Sequence, residues 1–202
     1  MSAASAHAQI TVTPSVFVAY VQHQVDIGYG DERTGGPVLG AVVTLAPTRW
    51  TDVTLSGYGG TLSADSVNID TRRTADFELG GSLFATPSLA LQVGFRAQTF
   101  TTALARQRWL SMTVGGEFAP EVFDGAARAV FRAGLIPVAS VSGLPAPTFA
   151  VTGGAGFEFL RGPLTGELMF SVERYDFPTT NGAPRAEQMA LVTVQVGVRF
   201  PK

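Results

Sequence analysis

The 202-residue chain has no cysteine, a single lysine at Lys202 and no apolar stretch approaching the ~20 residues of a membrane-spanning helix. Without cysteine there are no disulfide staples, cysteine-containing zinc sites or thiol catalysis, and the composition is compatible with export. The longest apolar runs, such as 85–91, are interrupted by Pro, Ser or Gln, which excludes a helical membrane protein. Charged residues make up 15% of the chain, against about 25% in soluble domains. The net charge of −2, with no basic block, excludes nucleic acid as a partner. What remains is one β-rich domain with a surface poor in charge.

Residues 1–9, MSAASAHAQ, read as a signal-peptide remnant or a flexible N-terminal arm, because Ala6 and Ala8 form a small-x-small cleavage pattern before Gln9. The domain is then 10–200.

From Ile10 onward the dominant period is two, the mark of strands with different faces. Ala190, Val192, Val194, Val196, Val198 and Phe200 alternate with Leu191, Thr193, Gln195, Gly197 and Arg199. Leu110, Met112, Val114, Gly116 and Phe118 likewise oppose Ser111, Thr113, Gly115 and Glu117. Read this way, the chain holds ten strands, near 10–22, 37–46, 50–58, 74–85, 88–100, 108–118, 127–138, 148–160, 164–176 and 188–200, with eight as the alternative count. The links after every second strand are tight and carry Pro or Gly (Ala46-Pro47-Thr48, Thr86-Pro87, Ala119-Pro120 to Gly125, Arg161-Gly162-Pro163). The others are longer and polar, with 23–36, 59–73 and 177–187 the largest. Short turns at one end, long loops at the other, and strands long enough to cross ~25 Å of hydrocarbon at a tilt describe a closed, antiparallel, up-and-down transmembrane β-barrel of the all-β class.

The charges test this assignment. Asp52, Asp76, Glu78, Arg96, Glu117, Arg128, Arg132, Glu158, Glu167, Glu173 and Arg199 all fall within the strands, on the face opposite the apolar one. One arginine facing lipid at the midplane costs about 2–4 kcal/mol, so these charges must face a lumen. Enclosed there, they require an ion-pair network with neighbours such as Gln92, Gln98, Gln195, Ser111 and Thr165. Arg128 and Arg132 are expected beside Glu117 and Glu158, and Arg96 between the walls carrying Glu78 and Glu117, depending on shear. A soluble lipocalin-like barrel also explains one-sided charge, but strand length and loop sorting favour the membrane. Phe118, Phe159, Phe200, Trp50 and Tyr20 suit interfacial aromatic girdles. Pro14 and Pro137 each remove a ladder donor, which predicts a late start for the first strand and a bulge or an end in the seventh.

The pattern over 10–200 resembles the small bacterial outer-membrane β-barrel proteins, the OmpA-like and porin-like group. The most specific part is Gln195-Val196-Gly197-Val198-Arg199-Phe200, which looks like that group's assembly signal, with Gln195, Gly197 and Phe200 at its key positions; here Pro201 and Lys202 follow. The resemblance implies periplasmic transit, insertion by the barrel-assembly machinery, residence in outer-membrane lipid, an inward N-terminus and exposed long loops.

No chemistry stands out. The histidines are His7, in the tail, and His23, at the outer rim with inward parity and Asp26 three residues on. A lone histidine at a loop base reads as polar surface, so no catalysis is expected. Asp26 to Glu32 is acidic but lacks a calcium-loop spacing, and Gly153-Gly154-Ala155-Gly156 has no following Lys-Ser/Thr, so no cofactor is implied. The expectation is a barrel with a charged, plugged lumen and a structural or surface-interaction role toward an extracellular or membrane partner. A narrow solute channel and an outer-membrane hydrolase are the alternatives.

Overall fold

In a computed structural model, which describes residues 10–28, 30–64, 71–180 and 183–201, ten long strands close into an antiparallel barrel. They are β1 (Thr11–Asp26), β2 (Asp31–Thr48), β3 (Thr51–Ala64), β4 (Arg72–Thr86), β5 (Leu89–Thr101), β6 (Arg106–Phe118), β7 (Ala127–Val141), β8 (Phe149–Arg161), β9 (Leu164–Thr180) and β10 (Ala183–Val198). Each strand pairs with its sequence neighbours. The ring closes where β1 pairs with β10, from Ser15↔Gly197 to Asp26↔Ala186. Glu121–Val122 adds a short bridge to the start of β7, and Phe200–Pro201 continues β10 against Thr11 and Val12. The arm at 1–9 lies outside the described residues.

Alternation sorts the side chains. On β10 the outward Val192, Val194 and Val196 are exposed, while Met189, on the other face, is buried. The same exposed row appears as Val16, Val18 and Tyr20 on β1, and as Leu89, Leu91, Val93 and Phe95 on β5. These rows form an apolar belt about nine residues deep on each strand, close to the 9–11 needed to cross a bilayer. Phe118, Phe159, Phe200 and Trp50 stand exposed at the turn end of this belt, where two-residue links join β2 to β3, β4 to β5 and β8 to β9. A water-facing exterior of this composition has no driving force to stay dispersed, so the soluble lipocalin-like alternative falls.

The polar segments 23–36, 59–73 and 177–187 were expected to be loops, and here the structure differs. β1 runs to Asp26 and β2 starts at Asp31, with Asp26↔Asp31 closing the ladder; β3 reaches Ala64 and β4 starts at Arg72. Segments 65–70 and 181–182 lie outside the described residues. Above the belt both faces of a strand meet water or a polar interior, so the apolar alternation stops while the backbone pairing continues. A strand of 16 residues, at ~3.3 Å per residue and ~40° tilt, rises about 40 Å, some 15 Å more than the hydrocarbon requires. The barrel wall therefore projects beyond the membrane as a rim.

The two prolines are accommodated differently. β1 starts at Thr11 instead of beginning late, and Pro14 sits in register with Val43 of β2. On its other side the ladder breaks between Val198 and Phe200, where the Arg199 N–H donates instead to the Pro163 carbonyl at 2.7 Å. Pro137 lies in a bulge: Met112 pairs with Val138 but Val114 pairs with Leu135, so Ile136 and Pro137 oppose Thr113 alone. Ile136 keeps the inward parity of Arg132, and beyond the extra residue the parity reverses, so that Val138 faces out and Val141 in.

Candidate functional site: the charged lumen and its mouth

The inward side chains form four layers, ordered from the turn end by position along the strands. In the first, Arg132 Nε donates to Glu117 Oε2 at 2.8 Å, Gln92 Nε2 donates to the same oxygen at 3.0 Å, and Glu167 lies 3.6 Å from Arg132. Arg128 lies 3.5 Å from Glu158 and donates to the carbonyls of Ala119 and Pro87. Among the described residues, Asp52 Oδ1 is buried without a hydrogen-bond partner.

In the second layer, Arg96 Nε donates to Asp76 at 2.5 Å, Nη1 to Glu173 at 2.5 Å and Nη2 to the Tyr58 hydroxyl at 3.0 Å. Gln98 Nε2 donates to the same hydroxyl, and the Tyr175 hydroxyl donates to Glu173 at 2.9 Å. Arg96 stands between the strands of Glu78 and Glu117, in register with Glu78, but its hydrogen bonds go elsewhere: Asp76 is one inward step along β4 from Glu78, and Glu173 reaches across the lumen from β9. A reach of that kind depends on shear, which spacing along one strand does not encode.

The third layer is apolar. Val21, Val38, Leu62, Phe100, Trp109, Ile136, Val141, Tyr175, Phe177 and Met189 form one buried cluster, with Trp109 edge-on to Tyr175 at 5.0 Å and to Phe177 at 6.2 Å. A charged lumen held by ion pairs had been expected. The turn-end half matches that expectation, but the upper lumen is packed like a protein core. Phe17 lies beneath, against Gly40, where a Cβ would collide with its ring; one of the lumenal glycines thus makes room for a neighbour rather than for water.

Of the fourth layer the sequence showed only His23, with inward parity, and there it read as polar surface. His23 is buried on β1, stacked on Phe100 at 4.5 Å between ring centroids. Its Nε2 lies 2.9 Å from Glu187 Oε2, and Arg72 Nη1 lies 3.2 Å from its Nδ1. A guanidinium can only donate, so Nδ1 accepts and Nε2 carries the hydrogen given to Glu187. Arg72 Nη2 also donates to Glu32, and Arg185 donates twice to Glu187 Oε1, at 2.9 and 2.6 Å. Glu187 stands on the part of β10 above the apolar belt. Burial alone would raise its pKa, but the hydrogen bonds of His23 and Arg185 and the Arg185 charge outweigh that and hold it below the ordinary carboxylate value. The signal was present in the parity: Arg185, Glu187 and Met189 continue the inward row of β10, and Arg72 and Thr74 that of β4. Reading these stretches as loops concealed it. In the acidic turn nearby, Asp26 accepts from the Gly28 N–H and Asp31 pairs with Arg33 at 2.7 Å.

Above this layer the mouth holds a cavity of about 650 Å³, lined by Val25, Phe100, Leu144, Arg72 and Arg185, among others. Gln195 faces inward on β10. Gly197 is buried where a Cβ would strike the Ser15 hydroxyl, and Phe200 is exposed on the outer face.

No protein-family model and no curated protein sequence matches the chain. Solved structures do. The outer-membrane protease OmpT of Escherichia coli superposes with a TM-score of 0.54 at 10% identity, over 98% of this chain and 99% of that one. LpxR from Salmonella typhimurium gives 0.49 at 8% identity over 91% and 99%, and the translocator domain of the autotransporter NalP from Neisseria meningitidis gives 0.48 at 14% over 94% and 88%. At such identities the likeness is one of fold. With the apolar belt, that fold makes the chain a transmembrane β-barrel of the bacterial outer membrane.

Proposed function

We propose that this small outer-membrane β-barrel protein is sealed, and that it serves a structural or surface-interaction role through its projecting rim. The observation that carries the reading is the apolar third layer lying directly on the Arg96 layer: packed side chains are backed by a guanidinium with an acceptor at each of its nitrogens, with no continuous polar lining for a hydrated solute. In barrels of this type the short turns face the periplasm, which puts the rim outside. Lipid is then the partner of the belt. Insertion by the barrel-assembly machinery through the segment ending at Phe200 is part of the same proposal.

Catalysis is not part of it. Both ring nitrogens of His23 are engaged, by Glu187 and Arg72, and the ring is buried, so no free nitrogen faces the mouth to take a proton from a substrate. Planar-bilayer recording of the purified protein tests the seal. The expected result is no steady conductance above that of the lipid alone; stable open channels would overturn the sealed reading and favour the narrow-pore alternative.

A further inference from the structure

The outer face of the rim carries its charges unevenly. Two of its arginines already have carboxylate partners, Arg33 with Asp31 and Arg174 with Asp176. Three others do not. Arg73 on β4 and Arg106 and Arg108 on β6 are exposed and stand on the outward parity of their strands, the face of Phe77 and Leu110. Among the described residues none of these three guanidiniums has an ion pair or a hydrogen bond. Register gathers them into one patch. Phe77, Ala97 and Leu110 form the last apolar row of the belt across β4, β5 and β6; Ala75, Thr99 and Arg108 form the next row, and Arg73, Thr101 and Arg106 the one after. At ~3.3 Å per residue and ~40° tilt each row climbs about 5 Å, so the arginines are rooted about 5 and 10 Å past the hydrocarbon, within reach of lipid headgroups. Arg73 and Arg106 are two strand spacings apart, about 10 Å. No carboxylate stands on this face in either row, and the flanking Thr61 of β3 and Ser142 bring none. Three unneutralised charges exceed the single charge of a phosphodiester, whereas two phosphomonoesters, at about −1.5 to −2 each, match them. The guanidinium fork suits phosphate oxygens.

We infer that this face of the rim binds a membrane lipid whose headgroup carries two phosphomonoesters, one held by Arg106 and Arg108 and the other by Arg73, with its acyl chains along Phe77, Ala97 and Leu110. With the rim outside, as in the preceding subsection, that lipid belongs to the outer leaflet. Its binding to the purified barrel depends neither on that orientation nor on a sealed lumen.

Native mass spectrometry of the barrel in detergent, with diphosphoryl lipid A as the probe, tests the site. Diphosphoryl lipid A should bind at least about tenfold more tightly than phosphatidylglycerol, phosphatidylethanolamine or soluble pyrophosphate, and about threefold more tightly than monophosphoryl lipid A. Arg73→Gln, Arg106→Gln and Arg108→Gln combined should weaken it at least about tenfold, and each alone about threefold. Arg33→Gln with Arg174→Gln removes outward charges that are already paired and should leave the affinity within about twofold of the parent. Every variant should keep the heat-modifiable mobility of the parent, and the single variants decide the outcome should the triple variant not insert. Equal affinity for phosphatidylglycerol or monophosphoryl lipid A would overturn the two-phosphate assignment, and equal affinity for pyrophosphate would remove the membrane from it. Unchanged affinity in the Arg73, Arg106 and Arg108 variants, or an equal loss in the paired-arginine variant, would overturn the site.

Discussion

The two ionic layers of the lumen use the same residue types and behave as different materials. At the turn end the Arg132 side chain is 40% exposed and its partners Glu117 and Glu167 lie along a wet opening. One layer higher, Arg96 is 10% exposed and Asp76 3%, and each guanidinium nitrogen has a named acceptor. The difference comes from what lies above. The apolar layer excludes water from the Arg96 side and not from the Arg132 side. In the sealed barrel proposed above, the apolar layer and not the ion pairs forms the plug, and it leaves the neighbouring ion pairs without water to replace a lost partner.

The largest consequence falls on Arg96. Arg96→Met leaves Asp76 and Glu173 buried without their counter-charge, and should destabilise the barrel by about 3–5 kcal/mol in urea unfolding from lipid. Arg132→Met, made at the wet layer, should cost no more than about 1 kcal/mol, because water replaces the lost partner. Equal losses at the two arginines would erase the distinction drawn here.

The second contrast stays on one strand and one face. Leu191 packs against the apolar layer, whereas Gln195 pairs in register with Glu167 at the wet layer. Leu191→Arg places an unpaired charge in a packed core and should cost at least about 3 kcal/mol or block folding. Gln195→Arg meets a carboxylate and should stay within about 1 kcal/mol of the parent. Heat-modifiable mobility and urea midpoints of the two variants decide between them, and an Arg tolerated equally at 191 would mean the upper lumen is hydrated.

The same two regions explain how much was legible in the sequence. Across the belt, lipid imposes a strict outward apolar row, so the ten strands, the closed barrel and the inward parity of Asp76, Arg96 and Glu173 could all be read from spacing. Above the belt lipid no longer writes on the outer face. There Gln22, Gln24 and Asp26 on β1, and Asp31 and Arg33 on β2, are polar on the outside while the ladder continues, and alternation in hydrophobicity is lost though alternation in direction is not. The His23–Glu187–Arg72–Arg185 cluster sits in that zone. The apolar layer was hidden for the opposite reason: β1 is apolar on both faces from Val16 to Val21, and a run without contrast carries no sign of which residues turn inward.

Conductance sharpens the comparison further. Removing Arg132 should leave a silent barrel, since the apolar layer above it is untouched. Phe100→Ala combined with Trp109→Ala hollows that layer and should produce measurable openings in planar-bilayer recordings from the folded fraction, at a cost of several kcal/mol for two lost core aromatics. Openings in Arg132→Ala, or silence in the folded double variant, would move the seal from the hydrocarbon to the ion pairs.

The smallest effect should come from the layer above the seal. Glu187 is buried, with His23 and Arg185 on its oxygens and Arg72, itself paired with Glu32, beside His23. Folding lowers its affinity for protons, as the hydrogen bonds of His23 and Arg185 overcome the burial that would raise it. The unfolded chain therefore binds a proton at pH values where the folded barrel does not. The stabilisation is complete above the ordinary carboxylate range and is lost as pH falls through the lowered value of the folded state. Glu187→Gln should thus be less stable than the parent at neutral pH, by about 1 kcal/mol, the usual contribution of a hydrogen-bonded partner in a rim that also sees water. Unfolding the two proteins side by side from pH 7 to pH 3 should show the gap closing as the parent's own carboxylate is protonated. A gap that stays constant to the acid end would mean that Glu187 holds the rim together by its shape and not by its charge.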